Sequence, residues 1–319
     1  MIRGAVIEPE RVASKGGFKA MSNPYSEHNE KGKANFDHVY DLPDPRGYFV
    51  TLGALDYRAP AHGSHVFSAL LQAMRLDDEI PPKVLDLCCS YGVNAALLKY
   101  DLTLDDLYAR YGSEDLRDLS CEELAAADAD FYAGLLKTTP PEIVGTDAAA
   151  NAVSYALRTG LLDAGTGENL EQDEPTQALQ WYARHSRLVT VTGGVGYIWQ
   201  RTFDRALRCV AGNGSDAENA PWVAAFAVRF VDYTPVAAVL SEHGLATEKV
   251  STRTFAQRRF KDASEREHVL RRLSAAGIDP AGKEETGWYH ADLYLSRPAA
   301  HAAEVSADEL LGAEGDPDY

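Results

Sequence analysis

The chain has 319 residues, a formal net charge of -17 at pH 7 and a hydrophobic content of 45%. This length is enough to bury a large core, and no apolar run approaches the ~20 residues that span a bilayer, which argues against a membrane partner. Nucleic-acid affinity depends on Lys and Arg side chains that neutralise phosphates, so the acidic charge argues against a nucleic-acid partner. The N-terminal residues lack the apolar core of a secretory signal, and we expect a cytoplasmic protein.

The cysteines and histidines do not form the pattern of a metal site. The four cysteines include no CxxC pair, and Cys88 and Cys89 are adjacent, a spacing that strains a disulfide. We therefore expect reduced, buried thiols. His62 and His65 would share one helical turn, but the sequence offers no third ligand nearby, so no metal is predicted.

The N-terminal region divides into a leader and a cap. Residues 1–36 are polar with weak periodicity and are expected to be poorly ordered. Residues from 37 to about 80 contain an aromatic stretch with two prolines around Tyr48 and Phe49, followed by a helix predicted over 64–74. These aromatic side chains either fold over a ligand or pack on the edge of a sheet, and the sequence leaves both interpretations open.

A short apolar strand that begins at Val84 enters a turn typical of nucleotide-binding α/β proteins. The strand carries Asp86, and small residues follow at Cys88, Ser90 and Gly92 before an apolar helix. Small side chains allow backbone N–H groups to approach a ligand closely. The start of the helix, from Gly92 to Asn94, adds unpaired N–H groups and a partial positive charge.

Residues 101–141 form an insertion that a plain α/β unit does not need. Two amphipathic helices are predicted in it, over 103–111 and about 120–136, the second beginning at Ser120 and Glu123, which have capping-box spacing. The insertion is either a lid over a substrate or an oligomer contact, for example in a homodimer.

A second strand, over 142–147, also ends on an acid. Asp147 is placed to accept both hydroxyl groups of a ribose, a bidentate task that suits a carboxylate. A helix is predicted over 148–161, and a polar turn follows at Gly167–Glu171.

The remaining strands are predicted over 188–192, 222–232, 245–255 and 287–296. The first of these ends in a Gly-rich turn that contains Tyr197. The strand over 222–232 is very apolar and is expected to be central. Residues 299–319 are rich in Ala and acids and are expected to be a frayed acidic tail.

Residues 37–298, taken together, resemble the class I S-adenosylmethionine-dependent methyltransferases of the small-molecule type, with Cys88 in place of the usual first glycine. The resemblance implies a Rossmann-like, doubly wound, seven-stranded α/β sheet whose last strand is antiparallel, with an N-terminal cap and an inserted helical lid. It implies S-adenosylmethionine as cofactor and a small molecule with a nitrogen or oxygen nucleophile as methyl acceptor.

The same resemblance implies a set of site residues. Either Asn169 or Glu171 would read the adenine, and the turn with Tyr197 would face the acceptor, unless that tyrosine is half-buried core. The expected cofactor-binding residues are Asp86, Cys88, Ser90, Tyr91, Gly92, Asn94, Asp147, Asn169, Leu170, Glu171, Thr192 and Gly193. The candidate catalytic residues are Tyr197, Tyr48 and His62.

Two other functions remain open from the sequence. Cys88 at a glycine position would suit a catalytically degenerate protein that only binds or scaffolds. A nicotinamide-dependent oxidoreductase would use the same second-strand acid, but its pyrophosphate loop has glycine where this chain has Cys88 and Ser90.

Overall fold

The computed structural model describes residues 37–74, 81–212 and 220–312. The predicted leader lies outside these ranges, as do the last residues predicted for the cap and the tail. Among the described helices, none is both long and apolar enough to cross a bilayer.

Five parallel strands form one half of the sheet, in the order β3-β2-β1-β4-β5. They are β1 (Val84–Leu87), β2 (Ile143–Asp147), β3 (Ala164–Gly167), β4 (Leu188–Val191) and β5 (Trp222–Val228). Apolar side chains occupy both faces of β1, β4 and β5, which are therefore buried from both sides. Because the chain runs outward in both directions from β1, the carboxyl ends of β1 and β4 meet at the topological switch point.

An antiparallel half completes the sheet, with β6 (Leu245–Lys249), β7 (Phe255–Arg259) and β8 (Trp288–Pro298). β8 pairs with β5 on one edge, while β6 and β7 pair with its two halves on the other. The mostly parallel sheet with an antiparallel last strand confirms the predicted fold class, but the described sheet has eight strands where seven are predicted.

The strand predicted over 245–255 is split into β6 and β7. Val250 still donates its N–H to the carbonyl of Leu293 (2.9 Å). Ser251 and Thr252 then leave the sheet because their backbone and hydroxyl groups donate to the carboxylate of Asp308.

Helices cover both faces of the sheet. One face carries α1 (Asp37–Tyr40), α2 (Arg46–Gly53), α3 (Ala59–Ala73), α4 (Val93–Lys99), α5 (Leu104–Tyr111), α6 (Cys121–Ala133) and α7 (Ala150–Arg158). The other carries α8 (Gln177–Ala183), α9 (Gln200–Ala211) and α10 (Thr234–Glu242). The sequence reasoning above missed α9, although Phe203, Leu207 and Val210 have helical spacing and are buried.

The C-terminal region contributes α11 (Ala263–Ala275), α12 (Ala299–Glu304) and α13 (Ala307–Leu310). α12 and α13 lie where a frayed tail is expected. They are held because the buried guanidinium of Arg297 donates to the carbonyl of Val305 (2.8 Å), and because Ala307 packs into the main core.

The insertion contains α5 and α6, and a buried carboxylate joins it to α7. Ser120 and Glu123 form the capping box predicted for α6. The carboxylate of Asp128 on α6 is fully buried and accepts hydrogen bonds from Arg110, Tyr111 and the α7 residue Tyr155.

The cap, formed by α1 to α3, rests on this insertion. The ring of Phe49 on α2 stacks on that of Tyr111 with centroids 4.4 Å apart. Nη1 of Arg46 donates to the carbonyls of Leu116, Arg117 and Leu119. The cap therefore packs directly against the insertion.

Candidate active site

A cavity of about 490 Å³ opens at the carboxyl ends of β1, β2 and β4, under the cap. This is the switch point where open α/β sheets bind ligands. The predicted site residues that line it are Tyr48, Cys88, Ser90, Asn94, Asp147, Asn169, Leu170, Thr192, Gly193 and Tyr197. The predicted site residues that lie outside the lining are His62, Asp86, Tyr91, Gly92 and Glu171.

The loop after β1 has a left-handed backbone at each of its three small residues. The φ angles are 56° at Cys88, 48° at Ser90 and 76° at Gly92. A left-handed conformation costs an L-residue about 1–2 kcal/mol. The backbone of this loop therefore favours glycine at these three positions, in addition to the need for small side chains near a ligand. The turn after β4 packs on this loop so closely that a Cβ on Gly194 would lie 2.6 Å from the Cys88 sulfur.

Asp147, at the end of β2, ties this loop to the second strand. Its Oδ2 accepts from the N–H of Ser90 and its Oδ1 from that of Ala149, both at 2.9 Å. Burial raises the pKa of this carboxyl above its usual range. Each oxygen has a second lone pair, so the carboxylate can still accept hydroxyl donors from a ligand.

Asp86, predicted as a cofactor contact, is buried in β1 and is not among the residues that line the cavity. Its Oδ1 accepts from the hydroxyl of Thr190 (2.7 Å) and from the amide of Asn94 (3.0 Å). Asn94 also donates to the hydroxyl of Thr192 (2.8 Å). Burial raises the pKa of Asp86 to about 7, against the hydrogen bonds from Thr190 and Asn94, which lower it. Asp86 therefore positions Asn94, which faces the cavity.

Two orphaned oxygen atoms belong to residues that line the cavity. Ser90 Oγ and Asn94 Oδ1 are buried, and neither has a hydrogen-bond partner among the described residues. Buried polar atoms are nearly always paired, so these two indicate groups that a bound molecule satisfies.

The two candidate adenine contacts in the polar turn after β3, Asn169 and Glu171, lie in different surroundings. Asn169 lines the cavity, whereas Oε2 of Glu171 accepts from the N–H groups of Trp199 and Thr202 and from the Thr202 hydroxyl. Glu171 therefore caps the start of α9 and is not among the lining residues. Asn169 is the remaining candidate.

The cap closes one side of the cavity with Tyr40, Asp41, Tyr48 and Pro60. The ring of Tyr48 packs edge-on against that of Tyr91, with centroids 5.7 Å apart. Burial raises the pKa of the Tyr48 phenol well above its usual value, so this residue stays protonated near pH 7 and is not a general base there.

Tyr91 belongs to the loop but contacts the cap instead of the cavity. Its hydroxyl accepts from the N–H of Leu42 (2.9 Å) and lies 3.0 Å from the Leu42 carbonyl and 3.2 Å from that of Val39. Tyr91, predicted as a cofactor contact, therefore fixes the cap through its hydroxyl. Gly92 supplies the left-handed turn at the start of α4.

Sequence reasoning missed two acids of the lining, Asp41 and Glu168. Asp41 accepts from the N–H of Asn151 (2.8 Å), and Glu168 accepts from the N–H and hydroxyl of Thr176. Asp41 lies in the cap, far from the strand motifs in sequence, so only tertiary contact brings it to the site. Glu168 lies inside the predicted polar turn, where its charge was the available signal.

His62, predicted as a catalytic residue, does not line the cavity and contacts Ala256 and Phe255. Its Nε2 lies 2.9 Å from the carbonyl of Ala256, which requires Nε2 to carry the proton. Burial lowers the pKa of the imidazole to about 4, so the ring is neutral at pH 7. It packs edge-on against Phe255 as a core residue.

The charge of the cavity is one-sided. Asp41, Asp147 and Glu168 line it, and no Lys, Arg or His does so among the described residues. Those residues also contain no group of three or more His, Cys, Asp or Glu side chains that could hold a metal ion.

No protein-family model matches the chain, and neither does any curated protein sequence. The three solved structures named below are methyltransferases, and each was solved with S-adenosylmethionine or S-adenosylhomocysteine bound. The magnesium protoporphyrin IX methyltransferase of Synechocystis PCC 6803, solved with S-adenosylmethionine, is 10% identical over 88% of this chain and 100% of its own, with a TM-score of 0.38.

Two further structures were solved with S-adenosylhomocysteine. The plantazolicin methyltransferase BpumL is 8% identical over 82% of this chain and 93% of its own, with a TM-score of 0.38. An O-methyltransferase from a trans-AT polyketide synthase of Brevibacillus brevis is 12% identical over 74% and 72%, with a TM-score of 0.35. Likenesses at this level do not assign an activity, so function has to be inferred from the site itself.

Proposed function

We propose that this protein transfers a methyl group from S-adenosylmethionine to a nitrogen or oxygen nucleophile of a small molecule. The observation that carries the proposal is the charge of the switch-point cavity, which has three acidic residues and no described Lys, Arg or His in its lining. S-adenosylmethionine has a positive sulfonium and a positive ammonium group, which an acidic site stabilises. A nicotinamide dinucleotide brings two negative phosphates to the same place, and the lining disfavours them.

The lining residues fit the parts of this cofactor. Asp147 would accept the ribose hydroxyls, and Asn169 with the backbone of Leu170 would read the adenine. Ser90 and Asn94, with their orphaned oxygen atoms, would accept from the ammonium group. Thr192, Gly193 and Tyr197, after β4, would face the methyl acceptor.

Methyl transfer makes modest demands on the protein. When bound, S-adenosylmethionine supplies an electrophilic methyl group for in-line displacement at carbon. The protein's residues then have to align the acceptor and exclude water. Because Tyr48 stays protonated and His62 lies outside the cavity, neither supplies a general base, and an amine acceptor in its neutral form needs little base assistance.

Calorimetric titration of the full chain with S-adenosylmethionine and S-adenosylhomocysteine tests the proposal. Both should bind, and Asp147→Asn should weaken binding about tenfold because charge-assisted hydrogen bonds to the ribose are lost. Asp118→Asn, at an exposed position of the insertion, is the matched control and should bind as the parent does.

Three outcomes would contradict the proposal. They are no binding at millimolar ligand, equal losses in the two variants, or quenching of NADH fluorescence by the protein in place of S-adenosylmethionine binding. Binding without methylation of any amine or phenol acceptor would favour the degenerate binding protein.

A further inference from the structure

A second cavity, of about 590 Å³, lies over the antiparallel half of the sheet. It is bounded by the loop after β5, the excursion between β6 and β7, and the segment that follows α11. We call it the β8 groove. It shares no lining residue with the cavity at the switch point.

Basic side chains collect in the β8 groove although the chain as a whole is strongly acidic. Arg229, Lys249, Arg253 and Lys283 line it. Two of them are neutralised locally, because Arg229 pairs with Glu284 at 2.6 Å and Lys249 with Asp292 at 3.4 Å.

The compensation of Arg253 and Lys283 is less direct: the Arg253 guanidinium lies over the ring of Phe255 at 5.4 Å, and the charge of Lys283 acts to lower the pKa of Glu284. Neither forms a salt bridge with a described residue. The guanidinium of Arg253 donates to the carbonyl of Leu311 at 3.4 Å, and its Nε is buried without a hydrogen-bond partner among the described residues. The other acid of the lining, Asp232, is exposed, and its Oδ1 accepts from the N–H of Thr234 (2.9 Å).

A second donor without a partner lies in the same lining. Tyr233 is 3% exposed, and its hydroxyl is buried without a hydrogen-bond partner among the described residues. The Tyr233 ring stacks on that of Tyr294 with centroids 4.2 Å apart, which fixes its position.

The positive charges of the groove affect the pKa of a neighbouring histidine, His290. Burial, together with the charges of Arg229 and Lys283, lowers the pKa of His290 to about 4. His290 contacts the groove residue Thr254, whose hydroxyl lies 3.0 Å from its Nδ1.

We propose that the β8 groove binds a small molecule through a phosphate or carboxylate group, with Arg253 and Lys283 as the cations that hold it. An anion offers lone pairs to buried donors that are otherwise unpaired, and it compensates two positive charges in a partly desolvated site. The proposal does not depend on the methyl-transfer activity.

Separate calorimetric titrations of the full chain with inorganic phosphate and with acetate test this proposal. At least one anion should bind, and Arg253→Gln and Lys283→Gln should each weaken it about tenfold, as expected for one ionic contact in a partly buried site. Tighter binding of phosphate identifies a phosphorylated ligand, and tighter binding of acetate identifies a carboxylate.

Arg117→Gln is the matched control, because Arg117 is 68% exposed in the insertion and does not line the groove. Neither groove variant breaks a salt bridge, so both should bind S-adenosylhomocysteine as the parent does. Lys283→Gln should also keep the unfolding midpoint of the parent, whereas Arg253→Gln loses the hydrogen bond to Leu311 and the contact with the Phe255 ring. The proposal is overturned if neither anion binds, or if Arg117→Gln weakens binding as much as Arg253→Gln does. Either result, with S-adenosylhomocysteine binding intact, leaves the proposed methyltransferase function standing.

Discussion

Two adjacent cysteines in the loop after β1 differ in the sign of their backbone φ angle. Cys88 has a φ of 56°, whereas Cys89 is not among the described residues with positive φ. The side chain of Cys89 is buried against Gly145, where an added Cβ would lie 2.6 Å from its sulfur. The same substitution should therefore have opposite effects at the two positions.

Cys88→Gly should raise the free energy of unfolding by up to about 1 kcal/mol, because it relieves a left-handed L-residue. Cys89→Gly should lower it by about 2 kcal/mol, because it removes a buried side chain and adds backbone entropy to the unfolded state. Urea unfolding of both variants measures the difference. Equal destabilisation would show that the Cys88 conformation is not strained.

Asp86 makes stability depend on pH. Its pKa rises from 3.8 in the unfolded chain to about 7 in the fold. Between these values the folded protein keeps a proton that the unfolded chain has released. The free energy of unfolding should therefore fall as pH rises through this interval and level off above it.

Asp86→Asn removes this titration, and the new amide oxygen can replace Oδ1 as acceptor for Thr190 and Asn94. Relative to the parent, the variant should become more stable as pH rises between 3.8 and about 7, by up to about 1.4 kcal/mol per pH unit. Urea unfolding at several pH values measures this difference, with Asp118→Asn as the control that should show none. A difference that does not vary with pH would contradict the assignment.

At the scale of whole elements, one buried carboxylate holds the insertion to the domain. Asp128 accepts from Arg110 at 2.8 and 2.5 Å and from two phenols, Tyr111 and Tyr155. Asp128→Ala should cost about 3–5 kcal/mol, because it leaves a largely buried guanidinium and two hydroxyls without their acceptor. Hydrogen exchange should accelerate in α5 and α6 more than in the strands.

Asp118→Ala, in the same insertion, is the control for that experiment because its side chain is exposed. Uniform acceleration across the whole domain would mean that the insertion and the sheet unfold as one unit. Unchanged exchange in α5 and α6 would mean that the contacts that Phe49 and Arg46 of the cap make with the insertion suffice to hold these helices.

The elements predicted from sequence were those with a local signal. The apolar strands, the capping box at Ser120 and the acid at the end of β2 follow from patterns of a few residues. The path of the chain after Val250 does not, because it depends on Asp308, which lies more than fifty residues away. The same limit applies to the site. Glu171 and His62 have plausible chemistry for a ligand, but tertiary contacts with α9 and Ala256 occupy them.

At the scale of the whole molecule, charge is distributed unevenly. The chain carries a formal net charge of -17, and the switch-point cavity continues that sign, while the β8 groove opposes it. Long-range attraction should therefore favour cationic ligands near the protein, and an anion should bind only where local cations outweigh the overall field.

Ionic strength should separate the two forms of the proposed cofactor. S-adenosylmethionine has a net positive charge at neutral pH, whereas S-adenosylhomocysteine has the same adenosine and amino-acid groups without the sulfonium charge. The Debye length is about 10 Å at 0.1 M salt and about 3 Å at 1 M. Screening should therefore weaken the binding of S-adenosylmethionine several-fold more than that of S-adenosylhomocysteine over this range.

Calorimetry of both ligands across a series of sodium chloride concentrations measures the ratio of their affinities. S-adenosylhomocysteine is the internal control, because it differs from S-adenosylmethionine only in lacking the methyl group and the positive charge on sulfur. If the affinity for S-adenosylmethionine falls with salt relative to that for S-adenosylhomocysteine, then the acidic surface and the acids of the cavity act on the sulfonium. Those acids are Asp41, Asp147 and Glu168. If this ratio of affinities does not change with salt, the negative charges do not act on the methyl group. The acidic lining of the cavity would then no longer support S-adenosylmethionine as the cofactor.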